Sequence, residues 1–189
     1  MARDDGPLRP QTLAKLEGRR AHPVADHGVF RVERLVYEPK ALPRDIFVFG
    51  CPDWCNVVAE TPSGELVLVW QYRYGTDAVS LEVPGGVIDP GEAPEAAARR
   101  ELREETGYEA ESFELLSVVE PNPALQGNRC YTFLARGARL TGSTAFDDLE
   151  DRETILLPIA DIARRIDDGT ITHALVVVAL EGYLRKHSR

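Results

Sequence analysis

The sequence predicts an α+β domain, and three observations carry the prediction. Compact β-type runs recur between Val29 and Leu157. One strongly helical segment, Ala93 to Thr106, interrupts them. Two more helical segments, Ile159–Ile166 and Thr172–His187, follow the last run. Strands before, between and after a few helices differ from the regular alternation of a parallel βαβ series.

The elements are taken in chain order. Residues 1–28 are polar, carry Pro7, Pro10 and Pro23, and lack sustained periodicity. They read as an N-terminal extension with at most a short helix near Gln11–Leu16, and 29–189 read as one domain. Phe30–Glu33 alternates in the manner of a strand, and Ile46–Phe49 is a compact β-type run. Trp54–Glu60 and Leu66–Tyr72 are two strands joined by Thr61-Pro62-Ser63-Gly64, whose Pro and Gly suit a hairpin turn. Ser80–Val83 is short and runs into Pro84-Gly85-Gly86. Phe113–Glu120, Tyr131–Ala135 and Thr154–Leu157 return to strand, and Gly169 separates the last two helices. There is no internal repeat and no low-complexity segment.

Composition narrows the function classes. The chain has 189 residues, 43% of them apolar, which suits one domain with a real core. At 28% charged and 7% aromatic it is neither disordered nor fibrous. The longest apolar run, Ala174–Leu180, is far too short to span a bilayer, so no membrane partner is expected. Twenty-two Lys+Arg against 31 Asp+Glu give a net charge of −9, which opposes binding to nucleic acid through its phosphates. Three cysteines, Cys51, Cys55 and Cys130, and an N-terminus (MARDDGPLRP) without an apolar signal run predict reduced thiols in the cytoplasm. Cys51 and Cys55 form a C-x₃-C pair without a second pair at zinc spacing, and read as small buried hydrophobes.

The segment from Gly86 to Tyr108, GVIDPGEAPEAAARRELREETGY, carries the chemistry. Asp89-Pro90-Gly91 is a turn, Pro94 suits a first helical turn, and Ala96–Ala98 are strong helix formers. Gly107 stands where a glycine ends a helix in the left-handed conformation. Glu101, Glu104 and Glu105 lie at i, i+3 and i+4 and project from one side, while Ala98 and Leu102 form an apolar stripe. Three neighbouring carboxylates repel one another, and a hard divalent cation with a preference for oxygen ligands offsets that repulsion. An E/A/R-rich helix is ordinarily a solvated face, with Arg100 and Glu104 an ordinary surface pair. The fixed spacing of the whole segment decides against that reading. Seven identities at these spacings arise at a given start with probability on the order of 10⁻⁸ or less.

Gly86, Glu92, Arg100-Glu101-Leu102, Glu104-Glu105 and Gly107 resemble the Nudix box, G-x₅-E-x₇-R-E-U-x-E-E-x-G-U, with U bulky and aliphatic. The departure is Tyr108, aromatic at the last U, where only packing is expected. The resemblance covers about residues 45–180. It implies a Nudix-type α/β/α sandwich with a mixed β-sheet and a loop–helix–loop box. It implies Mg²⁺ or Mn²⁺ held by Glu101, Glu104 and Glu105, with the Gly85 carbonyl as a further ligand. Gly86, Glu92, Arg100 and Gly107 take structural roles, Glu92 pairing with Arg100. Diphosphate hydrolysis suits these residue types: divalent ions neutralise phosphate oxygens and polarise a water, and a carboxylate takes its proton.

Residues outside the box resemble the ADP-ribose and nucleoside-diphosphate-sugar pyrophosphatase branch. Gln71-Tyr72-Arg73 followed by Leu81-Glu82-Val83-Pro84-Gly85-Gly86 carries that likeness. It implies that Arg73 reaches the substrate phosphates. Glu82 is implied as a substrate-side or metal-side carboxylate, with an edge-strand acid as the alternative. Pro123, in Pro121-Asn122-Pro123-Ala124-Leu125, matches a proline that walls the substrate in this branch, with Leu125 beside it. A plain connector explains that loop equally well. In Phe146–Asp151, Glu150 first and Asp148 second are implied as general base or further metal ligand, against a generic acidic loop. His173 reads as a helix-start residue rather than a catalyst. The branch further implies a homodimer with residues 29–50 in the contact.

The expected activity is metal-dependent hydrolysis of ADP-ribose or an NDP-sugar such as GDP-mannose to a nucleoside monophosphate and a sugar phosphate. The alternatives are an (oxidised) nucleoside triphosphate pyrophosphatase and a non-catalytic nucleotide-sensing domain. The full set of box glutamates opposes the sensor. An RNA end-processing role is opposed by the −9 charge.

Overall fold

The computed structural model describes residues 17–38, 45–142 and 152–187. Three antiparallel strands come first: β1 (Arg19–Asp26), β2 (Arg31–Tyr37) and β3 (Ile46–Gly50), ordered β1-β2-β3. β1 corrects the expectation of an irregular extension before residue 29. It pairs with β2 from Arg19↔Tyr37 to Asp26↔Arg31, with a bulge between Pro23 and Ala25. A bulge accommodates the missing N–H of proline within a ladder. Almost every β1 side chain is exposed, so the strand leaves no hydrophobic alternation to read. The short helix expected near Gln11–Leu16 lies outside the described residues.

The main sheet is mixed. Its strands are β4 (Trp54–Glu60), β5 (Glu65–Arg73), β6 (Ala78–Glu82), β7 (Gly85–Val87), β9 (Ser112–Val119), β10 (Cys130–Arg136) and β12 (Arg152–Pro158). β8 (Tyr108–Glu109) and β11 (Arg139–Leu140) make a separate two-stranded ribbon. The sheet order is β12-β5-β4-β10-β9, with β6 on β5 and β7 on β4; β10 runs parallel to β4 and the other pairs are antiparallel. The β4–β5 hairpin closes as expected: Thr61 N–H donates to the Glu65 carbonyl at 2.9 Å, and Gly64 takes φ +80°.

Strand alternation sorts the core onto two faces. Val58, Leu66 and Leu68 face one way, onto α2 (Ile159–Asp167) and α3 (Ala174–His187) through Ile162, Val176, Leu180 and Tyr183. Val57, Ala59 and Val67 face the other, onto α1 (Pro94–Thr106) through Ala97, Ala98 and Leu102. The result is an α/β/α sandwich. Leu66 to Val69 are wholly buried, and each such side chain contributes roughly 1.5–3 kcal/mol over an exposed one. Cys55 and Cys130 are buried as small hydrophobes, whereas Cys51 is only half-buried. Among the described residues no helix is long and apolar enough to cross a membrane.

Candidate active site

The site begins where the main sheet splits. β4 and β5 pair only at Ala59↔Val67 and Glu60↔Leu66. Past that point β5 turns to β6, and the other end of β4 takes β7 through Asn56↔Gly85, Cys55↔Gly86 and Trp54↔Val87. A cavity of about 560 Å³ lies in the split, within the usual range for a ligand pocket. Glu101 and Glu105 of α1 line it with Arg73, Glu82, Gly85 and Gly86.

α1 is built locally. Ala93 is the extended N-cap, Pro94 opens the first turn, and Gly107 ends the helix at φ 72°, its N–H donating to the Arg103 carbonyl at 2.8 Å. Those ends fix which turn of the helix meets β7. Arg100 then organises the outer carboxylates. Its Nε and Nη2 donate to Glu92 at 3.1 and 2.9 Å, its Nη1 to Glu101 at 2.7 Å and Glu104 at 3.3 Å, and its Nη2 to the Val87 carbonyl at 3.1 Å. The expected Glu92–Arg100 pairing is present, and the guanidinium holds the Glu92 carboxyl below its ordinary range.

Glu105 is the most enclosed of the three, only 2% exposed. Its Oε2 accepts the Gly85 N–H at 3.0 Å and its Oε1 meets Arg152 Nη1 at 2.5 Å. Burial pushes its carboxyl up to about 7, against the opposing pull of Arg152 and the Gly85 N–H. Burial also raises Glu101, against Arg100. Glu101 lies hard against Gly86, where an added Cβ would come within 2.5 Å of its Oε1. Glu104 stands apart from the cavity lining, half-exposed between Arg100 and Arg103. So two of the three expected metal carboxylates converge and the third sits outside. Among the described residues no three His, Cys, Asp or Glu side chains form a metal-holding group. Arg100 and Arg152 draw the carboxylates to themselves.

Arg73 and Glu82 meet as a fork: Nε to Oε1 and Nη2 to Oε2, both 2.7 Å. Burial pushes the Glu82 carboxyl up, and the Arg73 pair overrides that, leaving it below its ordinary value. Glu82 therefore orients Arg73 in this arrangement. Pro123 and Leu125 are placed elsewhere. Pro123 lines a separate cavity of about 520 Å³ with Arg19, Glu33 and Phe49, and the Leu125 carbonyl accepts the Phe49 N–H at 2.7 Å. Neither lines the carboxylate cavity. Glu150 and Asp148 lie outside the described residues.

Three residues at the cavity carried no sequence expectation of a site role. Asn56 donates to the Leu175 carbonyl at 3.3 Å and ties β4 to the start of α3. His173 caps α3, its carbonyl accepting the Val177 N–H at 2.9 Å, while its Nδ1 is buried and makes no hydrogen bond. Arg152 reaches Glu105 from the first position of β12. A lone arginine at a strand start gives no pattern by which to single it out.

Residues 54–176 match the NUDIX domain family. The chain belongs to this family. It is 33% identical over 134 residues to an ADP-ribose pyrophosphatase of Mycobacterium tuberculosis, covering 70% of this chain and 63% of that one. It is 38% identical over 127 residues to an ADP-sugar pyrophosphatase of Mus musculus, covering 62% and 57%. The chain thus spans less than two thirds of either relative. A crystal structure of an ADP compounds hydrolase matches the Nudix fold with a TM-score of 0.77 at 24% identity, covering 92% of this chain and 96% of that one.

Nudix hydrolases generally use divalent metal ions. Glu101 and Glu105 fit such an ion: both are oxygen donors, both are buried enough that their charge needs a cation, and Gly86 leaves the space Glu101 occupies.

Proposed function

We propose that this chain hydrolyses the diphosphate bond of ADP-ribose or a nucleoside-diphosphate sugar such as GDP-mannose, giving a nucleoside monophosphate and a sugar phosphate. The observation that carries the reading is the pair of carboxylates, partly buried Glu101 and buried Glu105, sharing one cavity with the Arg73–Glu82 fork. The Mycobacterium and mouse relatives, an ADP-ribose pyrophosphatase and an ADP-sugar pyrophosphatase, support it. Bound Mg²⁺ or Mn²⁺ supplies charge neutralisation on the phosphates and a polarised water. Glu101 and Glu105 hold the ion, with Glu104 and the Gly85 carbonyl as further donors. Arg73, aimed by Glu82, holds a phosphate oxygen, and the water's proton goes to a carboxylate, Glu150 first and Asp148 second. A homodimer with residues 29–50 in the contact, and a cytoplasmic setting for the three free thiols, belong to the same reading.

A panel of ADP-ribose, NDP-sugars and nucleoside triphosphates with Mg²⁺, scored for monophosphate release, tests it. Turnover of ADP-ribose or an NDP-sugar that stops with chelator is expected. Turnover of triphosphates alone overturns the substrate assignment, and a Glu105→Gln protein of normal activity overturns the metal role.

A further inference from the structure

The carboxylate cavity shares a wall with a larger one of about 820 Å³ over the β5–β6 hairpin and the start of α3. Arg73, Arg152 and His173 line both. Otherwise the two differ in charge. Glu82, Glu101 and Glu105 line the inner cavity, whereas no Asp or Glu among the described residues lines the outer one. The outer cavity suits an anion and the inner one a cation.

Arg152 stands at the boundary. It opens β12 opposite Gln71 of β5, and its side chain is 15% exposed. Its Nη1 meets Glu105 Oε1, the oxygen left over once Gly85 N–H has taken Oε2. A buried carboxylate needs a positive charge beside it, and Arg152 supplies one here. A guanidinium and a divalent cation against the same oxygen repel each other, so only one of them can have Glu105.

We propose that Arg152 is a cationic latch: it neutralises Glu105 in the metal-free protein, gives it up on divalent-cation binding, and turns into the outer cavity to take a phosphate oxygen of a nucleoside diphosphate beside Arg73. Arg152 already lines both cavities, so the exchange is a rotation of its side chain on a fixed strand. His173, with its buried Nδ1 free of hydrogen bonds, stands at the same wall. The inference rests on the divalent-cation reading of the inner cavity.

The test is Mn²⁺ titration of the full chain without nucleotide, in wild type, Arg152→Gln and Arg152→Lys. Arg152→Gln should bind Mn²⁺ about tenfold more tightly, and Arg152→Lys, which keeps the competing charge, should stay near wild type. In saturating Mn²⁺, Arg152→Gln should bind ADP about tenfold more weakly than wild type. In wild type, Mg²⁺ should shift the Arg152 Nε–H resonance, which keeps the idea testable if the variants fold poorly. Unchanged or weaker Mn²⁺ affinity in Arg152→Gln, unchanged ADP affinity, or an Arg152 resonance indifferent to Mg²⁺ each overturns the latch. The expected Mn²⁺ and ADP shifts in a protein that hydrolyses no ADP-ribose or NDP-sugar would leave the latch standing and overturn the proposed substrate.

Discussion

Arg73, opposite Ala78 at one end of the β5–β6 ladder, and Glu82, opposite Val69 at the other, join through two parallel side-chain hydrogen bonds of 2.7 Å. The carboxylate is 2% exposed and the guanidinium is half in solvent, so the acid is the fixed partner and the arginine the one it aims. Glu82→Gln keeps the shape and loses the charge and one acceptor. It should lower kcat/KM on the preferred diphosphate about a hundredfold, in proportion to the misplacement of Arg73. Steady-state kinetics checks this, and unaltered kcat/KM would remove Glu82 from any positioning role.

Gly85 and Gly86 should answer differently to a single methyl group. A Cβ at Gly85 collides with the Cys55 carbonyl oxygen, and backbone cannot step aside. Gly85→Ala should therefore cost about 1–3 kcal/mol. For a domain of this size that lowers Tm by about 2–4 °C per kcal/mol. A Cβ at Gly86 meets only the tip of the Glu101 side chain. Gly86→Ala should keep its Tm and lose divalent-cation affinity. Calorimetry with and without Mg²⁺ separates the two, and equal Tm losses would contradict the distinction.

The metal-free protein should lose stability as pH rises toward neutrality. Burial raises the Glu105 carboxyl in the fold to about 7, from an ordinary 4.5. A group whose folded value lies above its unfolded value binds its proton more tightly in the fold. Its contribution is fully present below about pH 4.5 and is lost as pH passes through about 7. In chelator, wild-type Tm should fall between pH 5 and 8 more steeply than that of Glu105→Gln, and Mg²⁺ should restore it at pH 8. Parallel Tm–pH curves for the two proteins would refute this.

Arg100→Lys should be far from conservative. One guanidinium serves Glu92, Glu101, Glu104 and the Val87 carbonyl, a geometry an ammonium cannot copy. Leaving several of these partly buried partners short of donors should cost about 1–3 kcal/mol. Chemical denaturation measures it, and a midpoint equal to wild type would show that the fork adds nothing.

What the residues announced and what they concealed follow a physical line. α1 was legible because its information is local: Pro94 opens it, alanines fill it, Gly107 closes it, and the observed Pro94–Thr106 differs from expectation by one residue. β4 lies where its apolar run placed it, Trp54–Glu60. β7 was invisible, since Gly85 and Gly86 have no strand propensity and become a strand only because Trp54, Cys55 and Asn56 offer their backbone. The box spacing pointed to Glu101, Glu104 and Glu105 alike, and the i, i+4 spacing offered Arg100 and Glu104 only as an ordinary surface pair; that Arg100 holds Glu104 while Glu101 and Glu105 line the cavity needs the docked helix. Arg152 belongs to no pattern at all; its contact with Glu105 exists only once β12 has docked beside β5. Distance along the chain placed Pro123 past the box, yet the direction its loop takes is set by β3.

β4 runs through the middle of the main sheet, its Val57–Ala59 stretch wholly buried, and its first three residues carry β7 and so the floor under Glu101 and Glu105. Amide protons there should exchange with deuterium only when the entire domain opens, while those of the exposed β1 should exchange through small local fluctuations. Heat inactivation and global melting should then coincide: the floor of the site has no separate, earlier way to come apart.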